Sequence, residues 1–324
     1  MSKLLKWLSL LVALIVVVAG AGVAYFYVRY PMVPPAENIS IQSTPEKAAR
    51  GKYLSNHVTG CVECHAERDF SKYAGPVRPE SLGKGGENFG DPETPVRVLY
   101  SKNITPAGIG SWTDGEVLRA FTVGVNKDGE PLFPIMPYPR YARLSREDAE
   151  AIVVYLRTLE PIEYTPPARE LGMPLPIVVR TIPSHATLRP MPPETDRVAY
   201  GEYLTNAAVC GECHTPMDDQ GTPLPGRDYS GGFEMKLPGG GVVRSANLTP
   251  DADTGIGTWD EQQFVDKFKA FDGAEHRTLT AAEQRENTWM PWYAYAGMTR
   301  EDLGAIYTYL RSLKPIINRV QKHN

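Results

Sequence analysis

The chain has 324 residues, of which 42% are hydrophobic, so it can form real hydrophobic cores and wholesale disorder is excluded. Glycine and proline occur 29 times each, which indicates globular domains with long loops. The formal net charge of −4 provides no strong basic field, so nucleic acid is not an expected partner. The four cysteines all lie in two short, equivalent motifs, which excludes a disulfide-stapled scaffold.

The first predicted element is an apolar segment near the N-terminus. The run Trp7–Val28 contains no charged residue and exceeds the ~20 residues that a helix needs to span the hydrocarbon core. Two lysines precede the run, in agreement with the positive-inside rule. We therefore predict a single-pass signal-anchor over residues 1–30, in the cell inner membrane, with the rest of the chain on the periplasmic side. A small-residue site at Ala19-Gly20-Ala21 leaves a cleaved signal peptide as the alternative.

The rest of the chain is organised by an internal repeat, which follows a linker over residues 31–43. Three blocks recur in the same order at an offset of roughly 150 residues, a period too long for a solenoid. We predict two tandem domains over residues 44–165 and 194–316, a Pro-rich connector over 166–193 and a tail over 317–324. The paired blocks are ARGKYLSNHVTGCVECH with AYGEYLTNAAVCGECH, SKNITPAGIGSWTDGEVLRAF with SANLTPDADTGIGTWDEQQFVDKF, and MPYPRYARLSREDAEAIVVYLRTLEPI with MPWYAYAGMTREDLGAIYTYLRSLKPI.

Helix signals recur in both copies, and no run of strand-like alternation is present, so the predicted fold class is all-α with long loops. The predicted N-terminal caps are Thr44, Thr113 with Glu116, Ser145, Asp260 with Gln263, and Thr299. Gly51 and Gly201 occupy equivalent positions in the first helix of each copy. We predict that these glycines let that helix approach the last helix closely, near Tyr155 and Tyr309.

Two segments match Cys-x-x-Cys-His, the attachment pattern of c-type haem. Two thiols about one helical turn apart can form thioethers to one edge of a porphyrin, and the next histidine can supply the proximal nitrogen to iron. The residues concerned are Cys61, Cys64 and His65 in the first copy, and Cys210, Cys213 and His214 in the second. A redox dithiol would not need the histidine, and a zinc site would lack a fourth ligand. We therefore predict two covalently attached haem c groups, one per domain.

The distal ligands are expected to be methionines. Met136 and Met290 are the methionines that match between the copies, and each is followed by proline and an aromatic residue. Thioether sulfur is a suitable soft ligand for haem iron. Met298 is the rival in the second copy, although the first copy has Leu144 at that position.

Several further residues are weaker candidates around the haems. Trp112 and Trp259 could donate an indole N–H to a haem propionate, or simply pack in the core. Arg244 could pair with a propionate. A bis-His haem would have to use one of the unmatched histidines, which are His57, His185 and His276.

With these motifs, the chain resembles a class I cytochrome c fold duplicated in tandem behind a membrane anchor. The resemblance covers about residues 44–165 and 194–316 and rests on both Cys-x-x-Cys-His motifs, the Met-Pro segments and the crossed terminal helices. The Asn-(Ile/Leu)-Thr-Pro and Gly-Ile-Gly-x-Trp blocks are also similar to those of the cytochrome subunits of membrane-bound periplasmic alcohol and gluconate dehydrogenases. Those subunits usually carry three haem domains, whereas this chain has two.

The resemblance implies a membrane-anchored dihaem electron carrier, not an enzyme, with His65 and His214 as proximal ligands and Met136 and Met290 as distal ligands. Its expected partners are redox proteins, such as a membrane dehydrogenase, a quinol-oxidising complex or a terminal oxidase. Two alternatives stay open. A dihaem peroxidase would need an open distal site on one haem, and a dedicated cytochrome subunit of a dehydrogenase complex would have one permanent partner.

Overall fold

The computed structural model describes residues 3–218 and 221–323; residues 1, 2 and 324, at the ends of the predicted anchor and tail, lie outside the described residues. In chain order, the helices are α1 (Lys3–Arg29), α2 (Pro45–Tyr53), α3 (Cys61–Cys64), α4 (Pro106–Ile109), α5 (Asp114–Val123), α6 (Tyr138–Tyr141), α7 (Arg146–Leu156), α8 (Leu175–Thr181), α9 (Arg197–Ala207), α10 (Cys210–His214), α11 (Glu261–Lys269), α12 (Ala281–Gln284), α13 (Trp292–Ala296) and α14 (Arg300–Ser312). A π-helical turn, Leu54–Val58, continues α2, and a 3-10 turn spans Pro79–Ser81. The strands are β1 (Val96–Val98), β2 (Glu170–Leu171), β3 (Glu234–Lys236) and β4 (Val242–Arg244).

Helix α1 has the length and composition of a membrane span. It contains 27 residues, none of them buried, and its most apolar window has a mean hydropathy of 2.5. At ~1.5 Å per residue it is about 40 Å long, which exceeds the ~30 Å hydrocarbon core. It is the one such helix in the part of the chain that the structure describes. The predicted apolar helix is therefore present.

The first and last helices of each half pack closely, as predicted. In the first half α2 lies against α7, and in the second half α9 lies against α14. A β-carbon built on Gly51 would lie 1.9 Å from a backbone oxygen of α7 and 2.8 Å from Cβ of Tyr155. One on Gly201 would lie 2.0 Å from a backbone oxygen of α14 and 2.9 Å from Cβ of Tyr309. Only glycine fits at these two crossings.

The predicted helix caps are also confirmed. Thr44, Ser145 and Thr299 each accept a backbone N–H bond three residues on, at the start of α2, α7 and α14. Thr113 with Glu116, and Asp260 with Gln263, form complete capping boxes at the start of α5 and α11. These local signals determine where the main helices begin.

The structure is rich in helices but adds short strands that the all-α prediction lacks. Strand β1 pairs antiparallel with β2, and β3 pairs antiparallel with β4. The predicted tail joins the second pair, because His323 bridges Val243 and the Arg244 N–H donates to Lys322 O at 2.8 Å. In each half, the segment after the last helix therefore returns to pair with an earlier strand.

The predicted linker and connector are packed on the rest of the chain. In the linker, Glu37 is ion-paired with Arg146 at 2.7 Å, and the Ile41 N–H donates to Asp114 Oδ2 at 2.9 Å. The connector contains β2 and α8, and Val179 of α8 is buried. Neither segment is a free tether.

Two reciprocal contacts join the halves at the helix N-termini. The Tyr203 hydroxyl, from α9, donates to Asp148 Oδ2 at 2.6 Å and accepts the Ser145 N–H at 3.2 Å. Ser145 is the N-cap of α7, and Asp148 lies at its third position. In an ordinary capping box, the acid would bond the N-cap N–H directly. Here a tyrosine from the other half stands between them.

The equivalent residues make the same contact in the opposite direction. The Tyr53 hydroxyl, from α2, donates to Asp302 and accepts the Thr299 N–H at 3.1 Å, at the start of α14. Each half therefore supplies a tyrosine that completes the cap of the other half's last helix. One apolar cluster contains buried side chains from both halves, including Leu54 and Leu204, so the contact continues into the core.

Candidate haem centres

One large cavity lies between the motifs of the two halves. Its volume is ≈ 2080 Å³, about twice the upper end of the ~300–1,000 Å³ range for single-ligand pockets. The cavity is lined by all of the attachment and axial residues predicted from the sequence. They are Cys61, Cys64, His65, Met136, Cys210, Cys213, His214 and Met290. The fold therefore brings both predicted ligand sets to one continuous space.

Both motif histidines are oriented by backbone carbonyls. His65 Nδ1 lies 2.6 Å from Lys102 O, and His214 Nδ1 lies 2.8 Å from Ala246 O. Since a carbonyl oxygen only accepts, each Nδ1 carries the proton and each Nε2 keeps its lone pair. Burial lowers the pKa of both rings, which favours the neutral form. Each histidine therefore has a nitrogen available for a metal.

The four motif cysteines line the cavity, where Cys61 and Cys210 are half-buried and Cys64 and Cys213 are exposed to its space. Burial raises the pKa of Cys64 and of Cys210 to about 12 and that of Cys213 to about 11. Burial raises the pKa of Cys61 as well. Thiols with raised pKa values stay protonated at neutral pH, which is unlike the activated thiolate of a dithiol redox site. Among residues 3–218 and 221–323, no group of three or more His, Cys, Asp or Glu side chains is arranged to hold a metal ion.

Equivalent tyrosines hold the methionine segments against the motif segments. Tyr141, in α6 just after Met136, donates its hydroxyl to Thr59 O. Tyr295, in α13 just after Met290, donates to Ala208 O at 2.7 Å. Thr59 and Ala208 each stand two residues before the first cysteine of their motif. The bonds therefore hold the methionine segment and the cysteine-motif segment of each half at a fixed separation.

The rival ligands occupy different surroundings. Met298 also lines the cavity, but it is buried in the core at the position that corresponds to the buried Leu144. His57 Nδ1 lies 2.9 Å from Ala294 O in the other half, which makes it a contact between the halves. His185 and His276 are exposed, and neither lies among the described lining residues.

Two of the cations that line the first half's side of the cavity are Lys102 and Arg169. Lys102 donates to Pro167 O at 3.2 Å, and Arg169, from the connector, donates to Pro131 O at 2.6 Å. Burial lowers the pKa of Lys102, and the positive charge of the nearby Arg169 lowers it further. Neither cation is ion-paired with a carboxylate in the described part of the chain.

The second half also has two cavity-lining cations without a carboxylate partner in the described part of the chain. Lys267 and Lys322 line the cavity there, and burial, followed by Lys267, lowers the pKa of Lys322. Lys322 lies in the tail segment that returns to β4, as Arg169 lies beside β2, which returns to β1. Paired cations in a partly buried cavity are unfavourable alone and are stabilised by an anion. The two carboxylates of a haem supply such a charge, so these residues fit the group that the motifs imply.

The weaker sequence candidates also line the cavity. Trp112 and Trp259 are half-buried, each just before the capped start of α5 and α11. Arg244 is held by Glu234 Oε2 at 2.7 Å and by Gln321 O at 3.2 Å. Arg244 is therefore partly neutralised within the protein, unlike Lys322.

The two motifs lie close to each other. Arg140, which follows Met136 in the first half, is ion-paired with Glu212, which stands between the second-half cysteines. After burial and nearer groups, the Cys213 thiol is among those that raise the pKa of Cys64. The second motif therefore contacts the first half through the ion pair between Glu212 and Arg140.

Sequence reasoning missed three parts of this site. The carbonyls that orient the histidines carry no side-chain signal. Tyr141 and Tyr295 align in the repeat and could have been found from it. Arg169 and Lys322 each come after the last helix of their half, but they lie outside the matched blocks, so the repeat does not align them.

Comparisons with known proteins show what the chain is similar to. Residues 198–314 match the cytochrome c family. The chain is 30% identical to the alcohol dehydrogenase (quinone) cytochrome c subunit of Gluconacetobacter polyoxogenes, over 82% of this chain and 56% of the relative. It is 29% identical to the fructose dehydrogenase cytochrome subunit of Gluconobacter japonicus, over 86% and 55%. It is also 29% identical to a "diheme cytochrome c-type" protein of Cereibacter sphaeroides, over 65% and 72%.

The chain spans about half the length of the dehydrogenase subunits that it matches. The matched family implies a covalently bound haem c in residues 198–314, the segment that contains the second motif. The prediction of a haem-carrying cytochrome c, similar to the cytochrome subunits of dehydrogenases, is confirmed to this extent.

Proposed function

We propose that the chain is a membrane-anchored dihaem cytochrome c that carries single electrons between redox proteins. The observation that carries this proposal is the repetition of one ligand set, two thiols, a carbonyl-oriented histidine and a methionine, on both sides of one cavity. Each haem, when bound, supplies one-electron chemistry between Fe(II) and Fe(III).

In the first half, Cys61 and Cys64 would hold the haem as thioethers. His65 would present Nε2 to the iron, because Lys102 O fixes the proton on Nδ1. Met136 would supply sulfur from the other side. Cys210, Cys213, His214 and Met290 would do the same in the second half, with Ala246 O as the orienting carbonyl.

The cavity cations would hold the haem carboxylates. Lys102 and Arg169 would take this role in the first half, and Lys267 and Lys322 in the second. Without such an anion, each pair would place two positive charges near each other with no carboxylate to neutralise them. Trp112 and Trp259 remain candidate donors to the same groups.

Methionine as the sixth ligand would close both irons to substrates and raise their potentials, which suits a carrier. A dihaem peroxidase would instead need one open distal position. The equivalent tyrosine bonds after both methionines support two closed centres, because they hold both distal segments in the same way.

The anchor and the domain limits belong to the same proposal. Helix α1 would span the inner membrane as an uncleaved signal-anchor, with both haem domains on the periplasmic side. The domains would occupy residues 44–165 and 194–316, with the packed connector between them. The reciprocal tyrosine contacts support a fixed arrangement of the two domains.

The relatives favour one class of partner. Because the similar proteins are cytochrome subunits of alcohol, fructose and gluconate dehydrogenases, we propose a membrane dehydrogenase as electron donor and a membrane-bound oxidising complex as acceptor. Co-purification of the full chain from membranes with a catalytic subunit would support a permanent partner. Isolation of the chain alone, together with electron acceptance from several donors, would support a general carrier.

The haem count is tested by mass spectrometry and pyridine haemochrome analysis of the purified full chain. We expect two covalently bound haems, and one after the double substitution of Cys61 and Cys64 by serine. The matched control is the same substitution of Cys210 and Cys213, which should remove the other haem. A single haem in the unchanged chain would refute the proposal.

The distal ligands are tested by Met290→Leu, with Met298→Leu as a matched control, since leucine already occupies the equivalent position 144. Met290→Leu should lower the potential of one haem and let that iron bind an external ligand. Met298→Leu should change neither property. The reverse result would assign the ligand to Met298.

A further inference from the structure

Helix α8, in the connector, presents an apolar face to solvent. Ile177 and Val178 are 38% and 42% exposed, and Pro174, at the same helix face, is exposed as well. Met173, two residues before the first residue of the helix, is 70% exposed. The helix is held to the protein from its other side, where Val179 is buried. A helix on the surface of a soluble protein normally has the opposite arrangement, with polar residues outward.

This apolar face lies beside the end of helix α1. Arg180 of α8 donates to Tyr30 O at 3.0 Å, and its guanidinium carbon lies 4.6 Å from the centre of the Tyr27 ring. The same guanidinium is ion-paired with Glu130 at 2.6 Å, which fixes it to the first half. Helix α8 is therefore attached both to the end of α1 and to the cavity-bearing part of the protein.

The end of α1 has the residues of a membrane–water interface. Tyr25, Phe26, Tyr27 and Tyr30 cluster there, and such aromatic residues are enriched where a span leaves the bilayer. Since Arg180 contacts two of these tyrosines, α8 lies at the depth of the interface when α1 spans the membrane. An exposed apolar face at that depth meets lipid and not water.

We propose that α8 is a second membrane contact, with Met173, Ile177 and Val178 inserted at the boundary between headgroups and acyl chains. This inference rests on the proposed anchoring by α1. A single span leaves the periplasmic part free to rotate about its axis, whereas a second lipid contact fixes which side of the cavity-bearing body faces the bilayer. The partner surface is lipid, because the face continues the aromatic interface of α1.

The test uses the full-length holoprotein in phosphatidylcholine vesicles. Val178→Cys carries an environment-sensitive fluorophore, and quenching is measured with lipids that bear nitroxides on their acyl chains. The four natural cysteines are consumed as thioethers in the proposed holoprotein, and the unchanged chain, labelled in parallel, checks this. Val198→Cys is the matched control, because Val198 is a valine of α9 with 43% exposure. Leu14→Cys, in the middle of α1, reports on the anchor itself.

We expect strong quenching of the label at position 14, a comparable loss of emission at position 178 and little at position 198. Quenching at 14 without quenching at 178, or equal quenching at 178 and 198, would overturn the inference while leaving the anchor intact. Absence of quenching at 14 would refute the proposed anchoring, and the inference with it. Protection of position 178 only when a catalytic subunit is added would assign the face to a protein partner and would also overturn the inference.

Discussion

The exchange of tyrosines between the halves leads to a quantitative prediction for Tyr203→Phe. The substitution removes one bond to a charged carboxylate, Asp148, and the acceptor of the Ser145 N–H, and leaves the ring in place. Tyr203 and Asp148 are 7% and 4% exposed, so water cannot readily replace the hydroxyl. A bond to a charged group contributes about 1.5–3 kcal/mol, and an unpaired buried N–H adds a further cost of about 1–3 kcal/mol.

Asp148 keeps two bonds to Arg50, at 2.8 and 2.9 Å, which limits the loss. We therefore expect Tyr203→Phe to lower the free energy of unfolding by about 3 kcal/mol. The measurement is guanidinium denaturation of the detergent-solubilised holoprotein, followed by circular dichroism and by haem absorption. Because the bond crosses between the halves, the two signals should also separate along the denaturant axis.

The control is Tyr307→Phe, which removes one neutral bond, 2.7 Å long, from the Tyr307 hydroxyl to Trp259 O within the second half. Its expected cost is only about 1 kcal/mol, and it should not separate the two signals. A double-mutant cycle with Asp148→Asn isolates the coupling between Tyr203 and Asp148. Equal costs for both phenylalanine variants, or a coupling near zero, would refute the capping role across the halves.

Three further predictions use the same chain. Gly201→Ala should lower the free energy of unfolding by about 3 kcal/mol or more, because the new β-carbon would lie 2.0 Å from a backbone oxygen. Gly172→Ala, whose β-carbon would have its nearest atom at 3.5 Å, should be tolerated in the same denaturation assay. Burial raises the pKa of Tyr203 in the folded protein, so the unfolded chain loses this proton first as the pH rises above about 10. The stability of the fold should therefore fall above that pH. Thermal melts over a series of pH values should show a smaller decline for Tyr203→Phe. Arg169→Gln should lower the reduction potential of the first-half haem alone, and Lys322→Gln that of the second-half haem alone. Each substitution removes a favourable charge–charge interaction on the order of 1 kcal/mol, and potentiometric titration measures the shift. Equal shifts of both haems by either substitution would contradict the assignment of one cation to each centre.

The local parts of the fold were readable from the sequence because each is decided within a few residues. A cap needs only Ser145 and the next three backbone groups, and the crossing at Gly51 follows from a missing side chain at a repeated position. The repeat also aligned Met136 with Met290 and both cysteine motifs, and the structure brings these residues to one cavity. Local sequence signals and the internal repeat were therefore sufficient to predict the caps, the glycine crossing and the residues that line the cavity.

The strands could not be read in the same way. Strand β1 has three residues, and its partner β2 lies more than seventy positions further on. A segment of that length has too few positions to show alternation, and its pairing depends on where α7 returns the chain. The pairing of the tail was missed for the same reason, since His323 bridges Val243 from the far end of the second half.

The contact between the halves depends on tertiary placement and not on local signals. The repeat shows that Tyr53 corresponds to Tyr203, and Asp148 to Asp302, but it does not say that each tyrosine reaches across to the other half's aspartate. Two similar halves present similar surfaces, so a contact made once can be made a second time with the roles exchanged. The pair of tyrosine caps is this kind of contact within a single chain.

The charged residues around the two cysteine motifs differ between the halves. Glu63, within the first motif, is paired with Arg68 at 3.3 Å, and both side chains are buried, at 10% and 7% exposure. Glu212, its counterpart, is paired with Arg140 from the other half, and these side chains are 40% and 34% exposed. Salt and water weaken the second pair far more than the first. The charge and burial around a haem affect its reduction potential. If both haems have the same ligands, these two different ion pairs would give the two centres different potentials.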